Sequence, residues 1–326
     1  MYLDKETGND NHERIMVTKE QIRVQGKMVC FDAIVVDDIK IIVKGKYIKI
    51  AELREEWDHD VVSPGTIIKA LKESGVRIDV FTFMQRLPDS RPVHAYFREW
   101  DSVAAISIST YDNWLKKQIP DQTRNKLKKA AKYGIELKKM VFGDELVRGI
   151  SRLYNESPVR QGARNIHYNM EYDLVKKLNG TFLDRSDFYG AYYCNELIGY
   201  VKIAYTDKYA RVMGIWGMIC QQDKSVMNLL IAKAVEVCAA KNVSYFVYAK
   251  YDYGKKVGSD TLKEFKKNNG FENILLPRYF VPLNAYGIIA LKLGFYKGIK
   301  NMLPRWLVQK LLKIRKIWSS ISYANS

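Results

Sequence analysis

Apolar positions recur along this chain with two spacings, every second residue and every third or fourth, and the switches between them mark its elements. After a polar leader at 1–18, residues 19–50 alternate β-rich runs with turn signals: IRVQGKMVCFDAIVV, then IKIIVKGKYIKIAEL, punctuated by Gly26 and Gly45. This pattern predicts a small antiparallel meander. Pro64-Gly65 opens the helical stretch TIIKALKESG, which Gly75 closes, and VRIDVFTFMQRL follows as a strand. Residues 19–118 therefore read as a compact α+β domain.

A new start falls at IPDQTRNKLKKAAKYG, where Asp121 or Thr123 is expected to cap a helix and Gly134 to end it in a left-handed turn. Arg124, Lys128 and Lys132 share one face at helical spacing, flanked by Lys126 and Lys129. That face is either an ordinary solvated surface or a place for phosphate. Amphipathic helices are predicted at 143–155 and 169–179, joined by the polar loop ESPVRQGARNIHYN. Three strands follow in DFYGAYYCNELIGYVKIAYTDKYARVMGIWGMIC, with turns at Asn195-Glu196 and near Asp207-Lys208. A helix at 224–240 carries Met227, Leu230, Ile231, Ala234 and Cys238 on its apolar stripe. SYFVYAKY, TLKEFKKN and ILLPRYFVPL then read as strand, helix and closing strand, which ends a domain at 119–284.

Composition narrows the class. With 326 residues, 47% of them hydrophobic, the chain can bury real cores, and a formal charge of +17 predicts an anionic partner: nucleic acid, a phosphorylated substrate or an acidic membrane. Cys30, Cys194, Cys220 and Cys238 are widely spaced, without metal-binding spacing, and are expected to be reduced core residues of a cytosolic protein. The N-terminus lacks the apolar run of a secretory signal, and no segment reaches the roughly 18 apolar residues of a membrane span. The expected location is cytoplasmic, peripheral to the inner face of the membrane.

The order helix, helix, three antiparallel strands, helix, strand, helix, strand resembles the GNAT acyltransferase superfamily over about residues 110–284. Within it, the order resembles more closely the Fem-type peptidoglycan aminoacyltransferases and related polysaccharide-locus acetyltransferases. The resemblance rests on Trp114 followed by TRNKLKKAAKYG, on YGAYYCNELIGY, and on LKEFKKNNGF followed by PRYFVPL. It implies an α+β fold with a mixed, mostly antiparallel sheet flanked by helices. The smaller α+β domain before it would be a shortened copy of that fold, although no internal repeat is visible. In ordinary GNAT enzymes a (Q/R)-x-x-G-x-(G/A) turn holds the coenzyme A pyrophosphate. Here the stretch is QQDKSV: Gln221 persists, while Lys224 and Val226 replace the glycines. By resemblance Gln221, Gln222, Lys224, Ser225 and Phe265 are the cofactor-binding candidates.

Four residues ahead of the Gly270-Phe271 step, where ordinary GNAT enzymes place a tyrosine, stands Lys266. The pair Phe265-Lys266 resembles the Fem-type branch. Amine attack on an ester or thioester passes through an oxyanion, which a fixed ammonium stabilises; a wet helix side is the plainer explanation of Lys266 and Lys267. His167 is a candidate general base, and Asp252 and Tyr251 a candidate base and proton donor in YAKYDYGKKVGS, where turn formation and packing explain the same residues. Arg160, Gln161 and Arg164, together with Arg124, Lys128 and Arg278, are candidate substrate contacts, since arginine forks suit carboxylate or phosphate. No Ser/His/Asp triad, metal cluster or P-loop is legible.

After Glu272 the sequence has no acidic residue, while nine basic ones follow from Arg278 to Lys316. Residues 285–326 thus read as a basic amphipathic tail, suited to an anionic bilayer (contact at 286–326) or to packing on the protein itself. The leading expectation is an acyltransferase forming an amide on an amino sugar or peptide amine of an envelope-polysaccharide or peptidoglycan precursor, with acetyl-CoA or another acyl-CoA as donor and no metal. A Fem-type enzyme using aminoacyl-tRNA is the alternative, although the helical-hairpin arm of many such enzymes is missing. A non-catalytic module binding RNA or anionic lipid is a third reading.

Overall fold

The structure is a computed structural model and describes residues 15–24, 26–160, 162–253 and 259–297. Its elements begin with β1 (Ile15–Val24), β2 (Lys27–Val36), β3 (Ile39–Lys44), β4 (Ile50–Leu53), α1 (Pro64–Glu73), β5 (Val80–Met84) and β6 (Phe97–Ser107). Then come α2 (Tyr111–Asn113), a π-helical turn at Trp114–Gln118, α3 (Asp121–Lys132), β7 (Glu136–Met140) and α4 (Asp144–Tyr154). The two-residue strands β8 (Val159–Arg160) and β9 (Ala163–Arg164) precede α5 (Tyr172–Asn179), β10 (Ser186–Tyr193), β11 (Glu196–Tyr205) and β12 (Ala210–Gly217). The described chain closes with α6 (Val226–Ala240), β13 (Tyr245–Lys250), α7 (Ser259–Asn268), β14 (Glu272–Pro282) and α8 (Ala285–Leu293).

Two compact units result. The first holds residues 15–85, 92–99 and 278–297, the second Arg86–Arg91 and Trp100–Pro277. The division differs from the boundary expected at 118. Trp114 is fully buried in the core of the second unit and residues 103–107 pair with β13, so the chain from Trp100 onward belongs there. At the other end, Arg278–Pro282 pairs antiparallel with β5 and carries the end of β14 into the first unit.

In the first unit β1 to β4 form the expected meander, with β5 parallel to β4 and antiparallel to β14. Period-two alternation sends Ile34, Val36, Ile41 and Val43 to one side, where Ile67, Ala70 and Leu71 of α1 complete the core. Arg278 lies here. Its guanidinium holds Glu56 through two bonds, 2.9 and 2.6 Å, and Glu56 also accepts the Met84 amide at 2.9 Å. This side chain is a tie within the first unit, which corrects its assignment as a substrate contact.

In the second unit the strand order is β14-β6-β13-β12-β11-β10-β7; β6 with β13, β12 with β11, β11 with β10 and β10 with β7 are antiparallel, and β12 with β13 is parallel. β11 is buried on both faces, which is why ELIGYVKIAY is almost continuously apolar. Val201 and Ile203 meet α6 residues such as Leu230 and Ile231 in one cluster, while Leu197 and Tyr200 meet Val147 and Ile150 of α4 in another. Neither Asp121 nor Thr123 caps α3: Pro120 holds that position, and the Thr123 hydroxyl donates instead to the Asn268 carbonyl at 2.8 Å. Gly134 does adopt the left-handed turn, at φ +72°. All four cysteines are free, but only Cys238 is buried; Cys30, Cys194 and Cys220 are exposed, against the expected core placement.

Lys202 interrupts the apolar run of β11 and is 2% exposed. Its ammonium donates to the carbonyls of Asn179, at 2.8 Å, and Thr181, closing the end of α5, and it lies 5.3 Å from the Phe188 ring centre. Among the described residues no carboxylate pairs with it, and burial pushes its pKa down to about 8. Between pH 8 and the ordinary lysine value the unfolded chain binds the extra proton, so this residue's penalty fades as pH rises. The stability of the natural protein relative to Lys202→Met should therefore increase from pH 8 to 10, by up to about 3 kcal/mol in order of magnitude. Urea midpoints of both proteins across that range check it; a pH-independent difference would contradict the assignment.

Candidate active site

β12 and β13 pair at only two positions, Ala210 with Phe246 and Arg211 with Val247, and then part. The divergence opens a cavity of about 1040 Å³ within the second unit. Ile215, Trp216 and Gly217 line it from β12 and Tyr248 from β13, while Val226 to Asn228, at the start of α6, form its end. Lys126 and Lys129 of α3 and Arg160, Arg164 and His167 of the connecting loop bring basic side chains; Asp223 and Glu264 are the acids on the wall. A helix start surrounded by such cations suits an anion.

The parted ends expose backbone groups that side chains then satisfy. Arg160 donates to the Gly217 carbonyl at 2.7 Å and stacks its guanidinium 4.1 Å from the Trp216 ring centre. Glu156, four residues earlier, accepts the amides of Ile219 (2.7 Å) and Cys220 (2.8 Å), which follow β12. No local pattern in the sequence announced Glu156. On the other strand, Lys266 donates to the Lys250 carbonyl and lies 4.9 and 4.5 Å from the ring centres of Tyr248 and Tyr253.

Lys266 is fully buried and has no surface on the cavity. Burial pushes its pKa down to about 8, with Asp252 opposing. The expected ammonium at the cleft floor is thus corrected: it sits one layer behind the wall, holding the strand end and the Tyr248 ring. Tyr248 itself faces the cavity, and burial raises its phenol above the ordinary value, with Arg160 opposing. A neutral hydroxyl at the wall is the consequence.

The other expected residues divide. His167 lines the cavity, its ring 4.6 Å from Tyr154 and 5.3 Å from Trp216, and its amide is held at 3.0 Å by the buried Asn165. Arg160, Arg164, Gln222, Ser225 and Phe265 line it as well. Gln221 and Lys224 do not: the Lys224 ammonium lies 5.5 and 4.9 Å from the rings of Tyr133 and Tyr193 and 3.5 Å from Asp223. Tyr251 belongs to the hydrophobic core, and Asp252 meets Lys263 at 3.4 Å away from the cavity. Arg124 closes the π-helical turn, donating to the carbonyls of Leu115 and Lys116 (both 3.2 Å) and Ile119 (2.5 Å), and Lys128 is exposed off the cavity; Lys126 and Lys129, the flanking lysines, face it instead. Gln161 lies outside the described residues. Among the described residues no group of three or more His, Cys, Asp or Glu is placed to hold a metal ion.

The far wall is fixed through the Asn-Gly step that ends α7. Buried Asn269 donates to the Phe265 carbonyl at 2.7 Å and accepts from Asn228 at 3.0 Å, joining α7 to the start of α6. Trp114 donates to the Asn269 carbonyl at 3.0 Å, and Gly270 follows at φ +81° with its absent Cβ only 2.9 Å from Trp114 Nε1. Glycine is required there for both the left-handed backbone and the indole.

No family model matches the sequence, and no curated protein matches it. Solved structures do resemble the chain. The C-terminal domain of an Agrobacterium fabrum protein named a lysylphosphatidylglycerol synthetase is 14% identical, with 79% of this chain and 85% of that one covered and a TM-score of 0.50. FemX is 10% identical over 84% of this chain and 90% of its own, at 0.49. A tandem GNAT protein of the clavulanic acid pathway is 11% identical over 78% and 83%, at 0.44. At these identities the likeness is one of fold alone: the first of these structures shares with this chain a large, mostly antiparallel sheet flanked by helices, in agreement with the order of elements in the sequence.

Gly270→Ala should cost about 2–3 kcal/mol, from the backbone strain together with the displaced indole, whereas Gly134→Ala, whose Cβ meets nothing within 4 Å, should cost about 1 kcal/mol. Equal urea midpoints for the two variants would remove the indole contact from the account.

Proposed function

We propose that this protein is an acyltransferase that forms an amide on an amine, with an aminoacyl-tRNA as the donor and an amino sugar or peptide amine of an envelope precursor as the acceptor. The observation that carries this reading is the parted-strand cavity, with a helix start and Lys126, Lys129, Arg160 and Arg164 on its walls. Acyl-CoA and aminoacyl-tRNA both bring phosphate to such a place. Glu156 favours the second. In the superfamily the turn after this strand, here QQDKSV, offers amides to a pyrophosphate; a carboxylate, Glu156, sits at its entrance holding the amides of Ile219 and Cys220 just ahead of it, and Lys224 is turned to its tyrosines. A compact diphosphate at that turn would face a fixed negative charge. Phosphodiesters spaced along the basic wall meet no such obstacle.

In the transfer, the amine nitrogen forms the new bond to the acyl carbon and the bond from that carbon to the donor's ribose oxygen breaks. The proton leaving the nitrogen is taken up at His167, on the cavity wall, and the departing oxygen is protonated; the neutral Tyr248 hydroxyl is the donor on that wall. Lys266 acts through Tyr248 as a positioning residue.

Full-length protein should melt at higher temperature with aminoacylated or free tRNA, and not with acetyl-CoA. The tRNA affinity should fall steeply with salt, and by roughly tenfold or more in Lys126→Glu/Lys129→Glu. Transfer of a labelled amino acid from tRNA to an amine should fall in His167→Ala. A response to acetyl-CoA alone would transfer the reading to the other donor, and a response to neither would overturn acyl transfer.

A further inference from the structure

We propose that the outer face of α8, together with the neighbouring turn at residues 45–49, is a docking surface for an anionic lipid bilayer. This surface lies in the first unit and is independent of the acyl-transfer reading.

The orientation of α8 is fixed. The Asn284 side chain caps it by accepting the Gly287 amide at 2.9 Å, and its amide group donates to the Ile78 carbonyl (2.9 Å) and to Asp79 (3.0 Å). Gly287 and Ala290 are thereby buried. The opposite face then presents Tyr286, Ile289 and Leu293, 63, 51 and 55% exposed, at i, i+3 and i+7, with Ile288 and Phe295 beside them. A water-facing helix of a folded unit ordinarily carries polar residues at these places.

Aromatic and basic groups frame the apolar face. The Arg77 guanidinium lies 5.1 Å from the Tyr286 ring centre and donates at 3.3 Å to the carbonyl of Tyr47, which is 69% exposed. Lys46 lies 5.3 Å from the Tyr47 ring centre. The nearby carboxylates are already engaged: Asp79 is buried and bonded to Arg77, the Lys49 amide and Asn284, and Glu99 holds Lys297 and the Tyr296 hydroxyl. Tyrosines beside exposed aliphatic side chains, rimmed by lysine and arginine, suit the boundary between headgroups and acyl chains.

Charge selects the occupant. Lys46 and Arg77 rim this face, Lys292, exposed on α8, adds a third basic residue, and the sequence after Glu272 has no acidic one. A second copy of the chain on this face would bring like charge against like charge, whereas acidic headgroups gain from each lysine or arginine. The sequence alone placed membrane contact in 286–326, of which 298–326 lie outside the described residues; the fold adds Tyr47, Lys46 and Arg77, distant in sequence.

The test uses the full chain and vesicles of phosphatidylcholine with and without phosphatidylglycerol, read by flotation. The natural protein should float with the anionic vesicles only. Ile289→Glu/Leu293→Glu should lower the bound fraction roughly tenfold at unchanged melting temperature, and Lys46→Glu should lower it less and in a salt-dependent way. Undiminished binding by the double variant would assign any lipid contact to the terminal segment and overturn the surface. No binding by the natural protein overturns it too, as does light scattering that shows a dimer dissolved by the double variant.

Discussion

The second unit depends on how two neighbouring strands come apart without leaving buried backbone groups unpaired. β12 and β13 share two residue pairs and then diverge. Beyond that point the amides and carbonyls that face the gap lose their ladder partner, while β12 stays paired with β11 on its other side, and an unpaired buried group costs about 1–3 kcal/mol. Three charged side chains from outside the pair answer this. Arg160 takes the last carbonyl of β12, Glu156 the two amides that follow, and Lys266 the last carbonyl of β13. Parting the strands and seating these charges are therefore one structural event. The cavity is what remains between them.

This double duty explains why chemistry read from residue type was partly misplaced. A lysine four positions ahead of a Gly-Phe step has the right charge for an oxyanion, but the carbonyl at the frayed end of β13 claims it first. Arg124 carried the same ambiguity: besides pairing with Asp121, its guanidinium reaches two carbonyls of a π-helical turn and that of Ile119 just after it, a turn that no periodicity announced. Lys202 is a third instance, an ammonium that closes a helix end against an aromatic ring. In each case an unpaired carbonyl oxygen, which has no signature in the sequence, decided where the charge went.

What the sequence made legible was set by local periodicity. The meander, the three strands β10 to β12, and α4, α6 and α7 are elements marked by a β-rich run or a 3.6-residue stripe between turn signals, so each could be read from its own segment. The domain boundary could not, because Trp114 and the return of Arg278–Pro282 to β5 are contacts between distant segments. Of the cavity residues, Arg160, Arg164 and His167 were picked out by loop composition, and Gln222, Ser225 and Phe265 by the resemblance alone. Lys126 and Lys129 were seen only as flanks, since a helix phase error of one residue turns a face by about 100°. Glu156 acts on amides 63 and 64 residues away and the Asn228–Asn269 bond spans 41, so these residues gave no local sign.

The charge of +17 then divides by environment rather than by residue type. Lys202 and Lys266, bonded to carbonyls, are buried and set geometry; Lys126 and Lys129 on the cavity wall are exposed to water, and Arg160 does both, lining the cavity while bonded to the Gly217 carbonyl. Lys266 and Lys126 are chemically identical and differ in this alone. The buried ammonium is already bonded to a carbonyl and two rings, and moving it to meet a ligand would undo the strand end it holds. A lysine on the rim has no such commitment and gives up only hydration. Ligand binding in this fold should accordingly draw on α3 and the loop after α4, while the interior lysines keep the strands parted whether or not a ligand is present.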